Sequence, residues 1–379
     1  AFNNEDKNAT LMIVTFDTSM SADETLDAIE QLRTLTKQQC FMSGMSAVVT
    51  DIKKICNSEA IAYVILAAGL SAVVLALTMD SFLVPVFFLL SIGMAIIYNL
   101  GTNFVSGEIS FITQALAAVL QLAVTMDYSI FLWHSYQENQ ERFPGDKKRA
   151  MAHAISNTVS SVVASSVTTV AGFVAMCFMT FTLGLDLGIV MAKGVVLGVF
   201  CCVTVLPAMI LTFDGALEKT RHRALIPKFD KMGTFATRKF PIFLVLFVVI
   251  LIPAVYGYRN TNVYYDLAGT LPADLESVQA NNKLEEDFNM GATHIILASS
   301  DLSHKDASNM IDEINDLDGV AVALGKDAIL GPAVPQEMLP ADVKDMLDNG
   351  KLQMIYVMSE YKTASDEVNA QCDAIKQII

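Results

Sequence analysis

Charge is scarce in this 379-residue sequence, and the places where it is missing carry most of the information. Charged residues make up 17% of the chain and hydrophobic residues 53%, far from the balance of a soluble domain. There is a single tryptophan, and the six cysteines follow neither a zinc-type spacing nor a disulfide framework. The sequence has no glycine-rich phosphate loop and no nucleophile–base pair at a recognisable spacing. Chemistry powered by a bound nucleotide is therefore not expected, no cofactor or metal is called for, and an ion gradient is left as the energy source. The formal charge of −15 excludes the basic footprint of a nucleic-acid binder.

What the chain has in place of charge is long apolar runs. Crossing a hydrocarbon core takes roughly 20 residues, and six stretches qualify: Ala60–Met79, Phe82–Asn103, Ile109–His134, Ala154–Leu183, Leu187–Phe213 and Phe240–Tyr258. Lys and Arg gather after the third stretch (Arg142, Lys147, Lys148, Arg149) and after the fifth (Lys219 to Lys239). The short loops around Gly101–Glu108 and Thr180–Asp186 have none. By the positive-inside rule the basic loops are cytoplasmic and both chain ends extracytoplasmic.

Two of the six stretches contain a charge. Asp127 is the only formally charged residue from Ile109 to Gln137. An aspartate at the middle of a membrane helix costs about 3 kcal/mol, so such groups face a protein or water interior and mark a proton or ion path. It lies about 4 residues inward of the span midpoint, roughly 6 Å along the helix. Tyr128 follows it, pointing about 100° away, and so is placed to bond across a helix interface. A structural carboxyl satisfied by Ser or Thr is the plainer alternative. Lys193, in the fifth stretch, lies about 13 Å of rise from Asp127. Its stem reaches outward toward Asp186, or recovers part of that distance to join a relay with Asp127. Cys40 and Cys56 leave a disulfide open, and the spans' cysteines are expected to pack as small apolar groups.

The ends of the chain resemble each other. Leu11-Met-Ile-Val-Thr-Phe-Asp17 leads into Ser21-Ala-Asp-Glu-Thr-Leu, and Gln353-Met-Ile-Tyr-Val-Met358 leads into Ala364-Ser-Asp-Glu-Val-Asn, each a strand followed by an amphipathic helix. Six crossings lie between the copies, as in a parallel repeat. Strands are expected over 10–17 and 38–43, with helices over 22–36 and 46–57. Later come strand His294–Ala298, helix Lys305–Leu317, strands Val320–Leu324 and Leu352–Ser359, and helix Ser365–Ile378. That order fits a split βαβ, ferredoxin-like unit whose last strand lies beyond Ile379, with a loop over Gly331-Pro-Ala-Val-Pro335. The opening Ala-Phe-Asn-Asn, without methionine, suggests a piece of a longer protein.

Thr125-Met-Asp127-Tyr128 resembles the Gly-x-Asp-Tyr signature in the fourth span of MMPL-type members of the resistance–nodulation–division (RND) transporter superfamily, with Thr in place of the Gly. Ser135-Tyr-Gln-Glu-Asn139, Arg149-Ala-Met-Ala-His153, Val163-Ala-Ser-Ser-Val-Thr-Thr169, Val203-Thr-Val-Leu-Pro-Ala208 and Tyr265-Asp-Leu-Ala-Gly-Thr-Leu-Pro272 are similar to later segments of that family, in the same order. Met79-Asp80-Ser81 departs from it, since an Arg is usual there. The resemblance implies a polytopic α-helical membrane protein with extracytoplasmic α/β ferredoxin-like porter domains. Residues 1–57 would be the C-terminal part of the first porter domain and 58–214 five transmembrane helices. Residues 215–239 would form a basic linker, 240–258 a sixth helix and 259–379 the N-terminal part of the second porter domain.

The resemblance also implies proton-driven export of lipids or other hydrophobic compounds, with no enzymatic step. Asp127 and Tyr128 would be the proton relay, with Ser165 and Lys193 as candidate partners. Membrane lipids, a hydrophobic substrate, protons, the remaining half of the transporter and a second copy of the assembly are the implied partners. A non-transporting lipid- or sterol-sensing scaffold and an RND-type helper of protein secretion are the alternatives.

Overall fold

A computed structural model describes every residue except 1, 2, 5, 37–39, 106, 108, 223–229, 262–267 and 327–346. The chain divides into two compact units, one of Ala1–Ile52 with Asn260–Ile379 and the other of Lys53–Arg259. Helices are numbered in chain order. The first four are α1 (Asp23–Thr36), α2 (Met45–Thr78), α3 (Leu83–Gly101, extended by a 3-10 turn over Thr102–Val105) and α4 (Phe111–Arg142). Next are α5 (Lys147–Met176), α6 (Thr182–Val203), α7 (Val205–Thr212), α8 (Asp214–Lys219), α9 (Asp230–Arg238) and α10 (Phe240–Arg259). Then follow α11 (Glu276–Phe288), α12 (His304–Asn315) and α13 (Asp366–Ile378).

Six helical stretches are long and apolar enough to cross a membrane, and each overlaps one of the six apolar runs of the sequence. They are α2, α3, α4, α5, α6 with α7, and α10. The protein is a multi-pass membrane protein. The fifth crossing is interrupted at Thr204 because Pro207 has no N–H to return to the Val203 carbonyl. Side-chain caps mark the starts of two spans. The Ser110 hydroxyl accepts the Ile112 N–H at the start of α4, and the Asp146 carboxylate accepts the Arg149 N–H at the start of α5.

In the second unit, α3, α4 and α6 form the centre and α5 packs one face against α4 and α6. Phe88, Leu132 and Leu206 are completely buried there. By contrast, α10 buries none of its residues and α2 very few along its apolar stretch. A helix that is apolar all round and unburied is covered by lipid or by further protein.

The first unit contains a three-stranded sheet of β3 (Ala292–Ser299), β4 (Val320–Leu324) and β5 (Leu352–Ser359), after a short hairpin of β1 (Asn3–Asn4) and β2 (Ala9–Thr10). The spatial order is β3-β5-β4, with β5 antiparallel to both neighbours. Strands β3 and β4, joined through α12, are therefore parallel with β5 inserted between them, a split βαβ arrangement. Alternation sets the faces: Ala292 and Ile296 are buried while Ile295 and Leu297 are exposed. Ile296, Ile311, Ile314, Ile355, Val357 and Ile375 close the core between the sheet, α12 and α13. Ser303 and Ser365 cap those helices by accepting the N–H groups of Asp306 and Val368.

Several expectations are corrected. Of the expected strand 10–17 only Thr10 is paired, as the end of β2, and Leu11–Phe16 belongs to no strand. An extended segment becomes a strand only when a neighbour takes its N–H and C=O groups, and among the described residues none does so here. Cys40–Ser43 is likewise in no strand, and 37–39 lie outside the described residues, as does the loop expected over 331–335. Cys40 and Cys56 are free thiols.

Candidate functional site

The middle of α4 has two unlike faces. Ala117, Gln121, Thr125, Tyr128 and Leu132 are buried, whereas Leu116, Leu120, Ala123, Asp127 and Phe131 recur on the exposed side. Successive helical residues are turned by about 100°, which puts Asp127 and Tyr128 on different sides of one turn. Tyr128 is 3% exposed, and its hydroxyl is within hydrogen-bonding reach of Thr169 on α5. Thr169 in turn donates to the Ser165 carbonyl at 3.1 Å.

Asp127 is exposed, with no hydrogen bond or ion pair from the described residues. The Ser165 side chain is exposed as well, as are those of Ser161 and Thr168 on the same helix. An apolar helix that presents a carboxylate, with an adjoining helix that presents hydroxyls, makes a face unsuited to hydrocarbon. Such a group can hold or release a proton only when water or a second polar surface reaches it.

Lys193 stands elsewhere. Its ammonium donates to the side-chain oxygen of Asn103, just past the end of α3. The Asp186 carboxylate, one of the two groups toward which the sequence directs it, accepts the Ser110 N–H at 2.8 Å instead. The reason lies in packing: α3 lies against α6 and offers the amide to the lysine stem, and Asp186 is already engaged. The structure therefore brings Tyr128 near Thr169, with Ser165 joining only through its backbone carbonyl, and leaves Lys193 outside that set.

A polar network missed by reading the sequence lies between α3, α4 and α6. Asn99 is completely buried, and its Nδ2 donates to Gln121 Oε1 at 2.9 Å and to the Val190 carbonyl at 3.1 Å. Gln121 Nε2 donates to the Gly194 carbonyl at 3.1 Å, and the Thr125 hydroxyl donates to the Gln121 carbonyl at 2.7 Å. A side chain at position 194 would meet this network, since a Cβ there would lie 2.6 Å from Asn99 Nδ2. Asn99 reads from its position as an interfacial residue. The available signal was the Gly194–Gly198 spacing, which lets helices approach closely. Among the described residues, no cluster of three or more His, Cys, Asp or Glu side chains could hold a metal ion.

The MMPL family model matches residues 1–239, which include this site. The chain belongs to the MMPL family. This MMPL chain is 24% identical over 311 residues to the membrane protein SCO5905 of Streptomyces coelicolor, covering 76% of the chain and 36% of that relative. It is 25% identical over 305 residues to MmpL12 of Mycobacterium tuberculosis, named as a transport protein, covering 76% of the chain and 26% of that relative. With the siderophore exporter MmpL5 of the same species it shares 26% identity over 220 residues, 56% of the chain and 22% of that protein. The matched part thus spans between 22% and 36% of the length of these relatives.

Proposed function

We propose that this MMPL chain is one six-span portion of a proton-driven exporter of lipids or other hydrophobic compounds, with Asp127 and Tyr128 as its proton relay. The basic loops face the cytoplasm, and the unit that contains the sheet is extracytoplasmic, one part of a ferredoxin-like porter region. The observation that carries the reading is the exposed carboxylate of Asp127, unpartnered among the described residues, in an otherwise apolar stripe of α4. Placed against lipid, that group costs about 3 kcal/mol. Placed against the rest of the transporter, it gains a polar neighbour and water. The transport names of MmpL12 and MmpL5 agree with this reading.

In this scheme a proton from outside neutralises Asp127, and its release inward is worth about 2.3 kcal/mol per 100 mV. Tyr128, tied to α5 through Thr169, passes the change of charge to the neighbouring helix. Ser165 stands on the exposed side, available to the other half, and Lys193 is held by Asn103 and takes no part. The test uses the full-length protein in liposomes with an imposed pH gradient and a fluorescent lipid as cargo. Export that needs the gradient and vanishes with Asp127→Asn supports the relay. Lipid binding without gradient-dependent export would leave the scaffold alternative.

A further inference from the structure

The segment before the first span and the segment after the last are joined by a buried ionic seam that the relay does not use. Asp51, in the second turn of α2, is 3% exposed. Its carboxylate accepts both ends of the Arg33 guanidinium from the last turn of α1, at 2.7 and 3.1 Å. It also accepts the backbone N–H of Ser277 at 3.2 Å, in the first turn of α11. The N-cap residue of α11, Leu275, provides no side-chain cap, so Asp51 supplies the anion that this helix start lacks. Glu276 lies 3.3 Å from Arg33 Nε on the other side.

The same pair of segments touch along the rest of α11. The Ser43 hydroxyl donates to the Asn281 side-chain oxygen, Lys283 sits 4.8 Å above the Phe41 ring, and Asn4 donates to the Asp287 carbonyl. A buried ion pair adds little net stability over an apolar equivalent. A two-pronged Arg–carboxylate contact does impose one geometry, because two parallel bonds fix both position and angle. Surface contacts alone would let α11 slide along its neighbours.

We infer that Asp51 is a positioning residue that keeps residues 1–52 and α11 a single body throughout the transport cycle. Movement of the first span and of the chain after the last span is then delivered to the porter region together. This rests on the exporter reading, and the test separates the two.

In the full-length transporter, Ser43→Cys and Asn281→Cys are combined in a Cys40→Ser background and joined by a short bifunctional thiol reagent. Joined protein is expected to export within about twofold of the unjoined protein, and Asp51→Asn to lower export per folded molecule about tenfold. Joining the seam in the Asp51→Asn variant is expected to restore most of that loss. Export abolished by joining the otherwise unaltered seam would overturn the inference, because the seam would then have to open. So would an Asp51→Asn variant that exports normally, or one that joining fails to rescue. Should Asp51→Asn fail to accumulate, the joined and unjoined proteins with Asp51 intact decide the matter. An Asp127→Asn variant that still exports would count against the relay alone and leave the seam result standing.

Discussion

Asp127 and Tyr128 are consecutive on α4, yet the tyrosine is buried against α5 while the aspartate is exposed and unpartnered among the described residues. Their substitutions should therefore separate. Asp127→Asn removes no hydrogen bond or ion pair among the described residues, so the unfolding free energy should change by less than about 0.5 kcal/mol. Tyr128→Phe deletes the hydroxyl that meets Thr169 and should cost about 1 kcal/mol. Thermal unfolding of the purified protein measures both, and gradient-driven export should fall further with Asp127→Asn than with Tyr128→Phe. An Asp127→Asn variant that unfolds several degrees lower would show that the carboxylate has a structural partner.

Gly194 and Gly198 set the distance between α6 and α4. A Cβ at Gly194 would lie 2.6 Å from Asn99 Nδ2 and 2.9 Å from Gln121 Oε1, and one at Gly198 would lie 2.5 Å from the Thr125 methyl. Alanine at either position should destabilise by about 1–3 kcal/mol through overpacking. Gly93 and Gly172 have open space where a Cβ would go, so alanine there should be neutral or slightly stabilising. Thermal midpoints of the four variants check the contrast, and equal effects at all four would refute the packing account.

The contrast between those glycines shows what the sequence could reveal. Membrane spans are legible because length and hydropathy alone decide them, and all six runs became helices. Strands β3 and β4 are legible because one face is the more buried and the alternation records it, and β5 as a short apolar run buried between them. The strand over 10–17 is not, since its existence depends on a neighbour that no local pattern names. Helix α11 was not anticipated: its contacts are mostly polar and come from distant residues such as Asp51 and Ser43, so it has little apolar period to read. In the site, the rarity of a charge singled out Asp127. Asn99 reads as interfacial and Gln121 carries no signal, because an amide in a span looks the same whether it faces headgroups or a neighbouring helix.

Asp80, in the turn between α2 and α3, holds a corner of the second unit. Its carboxylate accepts the Trp133 Nε1–H at 3.1 Å and pairs with Arg221 at 3.1 Å, and its carbonyl accepts the His222 N–H at 2.7 Å. The Arg221 side chain is largely exposed, so that pair contributes little, about 0–1 kcal/mol. The indole is 5% exposed, and leaving its N–H without a partner costs about 1–3 kcal/mol. Asp80→Ala should therefore destabilise clearly while Arg221→Gln should not. Trp133 is the only tryptophan of the chain, so its emission reports this corner directly. A change in emission with Asp80→Ala and none with Arg221→Gln is the expected result.

In the first unit, Asp348 accepts bonds from Lys326 at 2.7 Å, Ser300 at 2.6 Å and the Gly350 N–H at 2.8 Å. The Lys326 ammonium, with the Ser300 hydroxyl behind it, holds its carboxyl down to about 2. A carboxylate lowered by folding contributes stability that is complete above its unfolded value of about 3.9 and disappears as pH falls through about 2. The side chain is 10% exposed, so solvent screens it little, and the contribution is on the order of 2 kcal/mol. Asp348→Asn should lower the thermal midpoint by a constant amount between pH 5 and 8, and that gap should narrow from about pH 4 downward and be mostly gone below about pH 2. A gap that stays at its full size down to pH 2 would show that the Asn variant loses packing and not charge.

Lys193 supplies the sharpest test of how a charge in a span should be read. Its position allows either a relay role with Asp127 or an outward reach, and the structure gives its ammonium to Asn103. Removing the charge should then disturb the end of α3 and leave the proton step intact. Lys193→Gln keeps a donor for the Asn103 oxygen, so export should stay within about twofold, with its dependence on external pH unchanged. Lys193→Met leaves that oxygen without a partner and should lower the thermal midpoint by an amount equivalent to about 1–3 kcal/mol, again with the pH profile intact. The pH profile is the deciding measurement, because loss of a structural contact lowers the amount of folded protein without moving the midpoint of proton dependence. If Lys193→Gln shifts that midpoint, the lysine belongs to the proton path and its bond to Asn103 marks only one stage of the cycle.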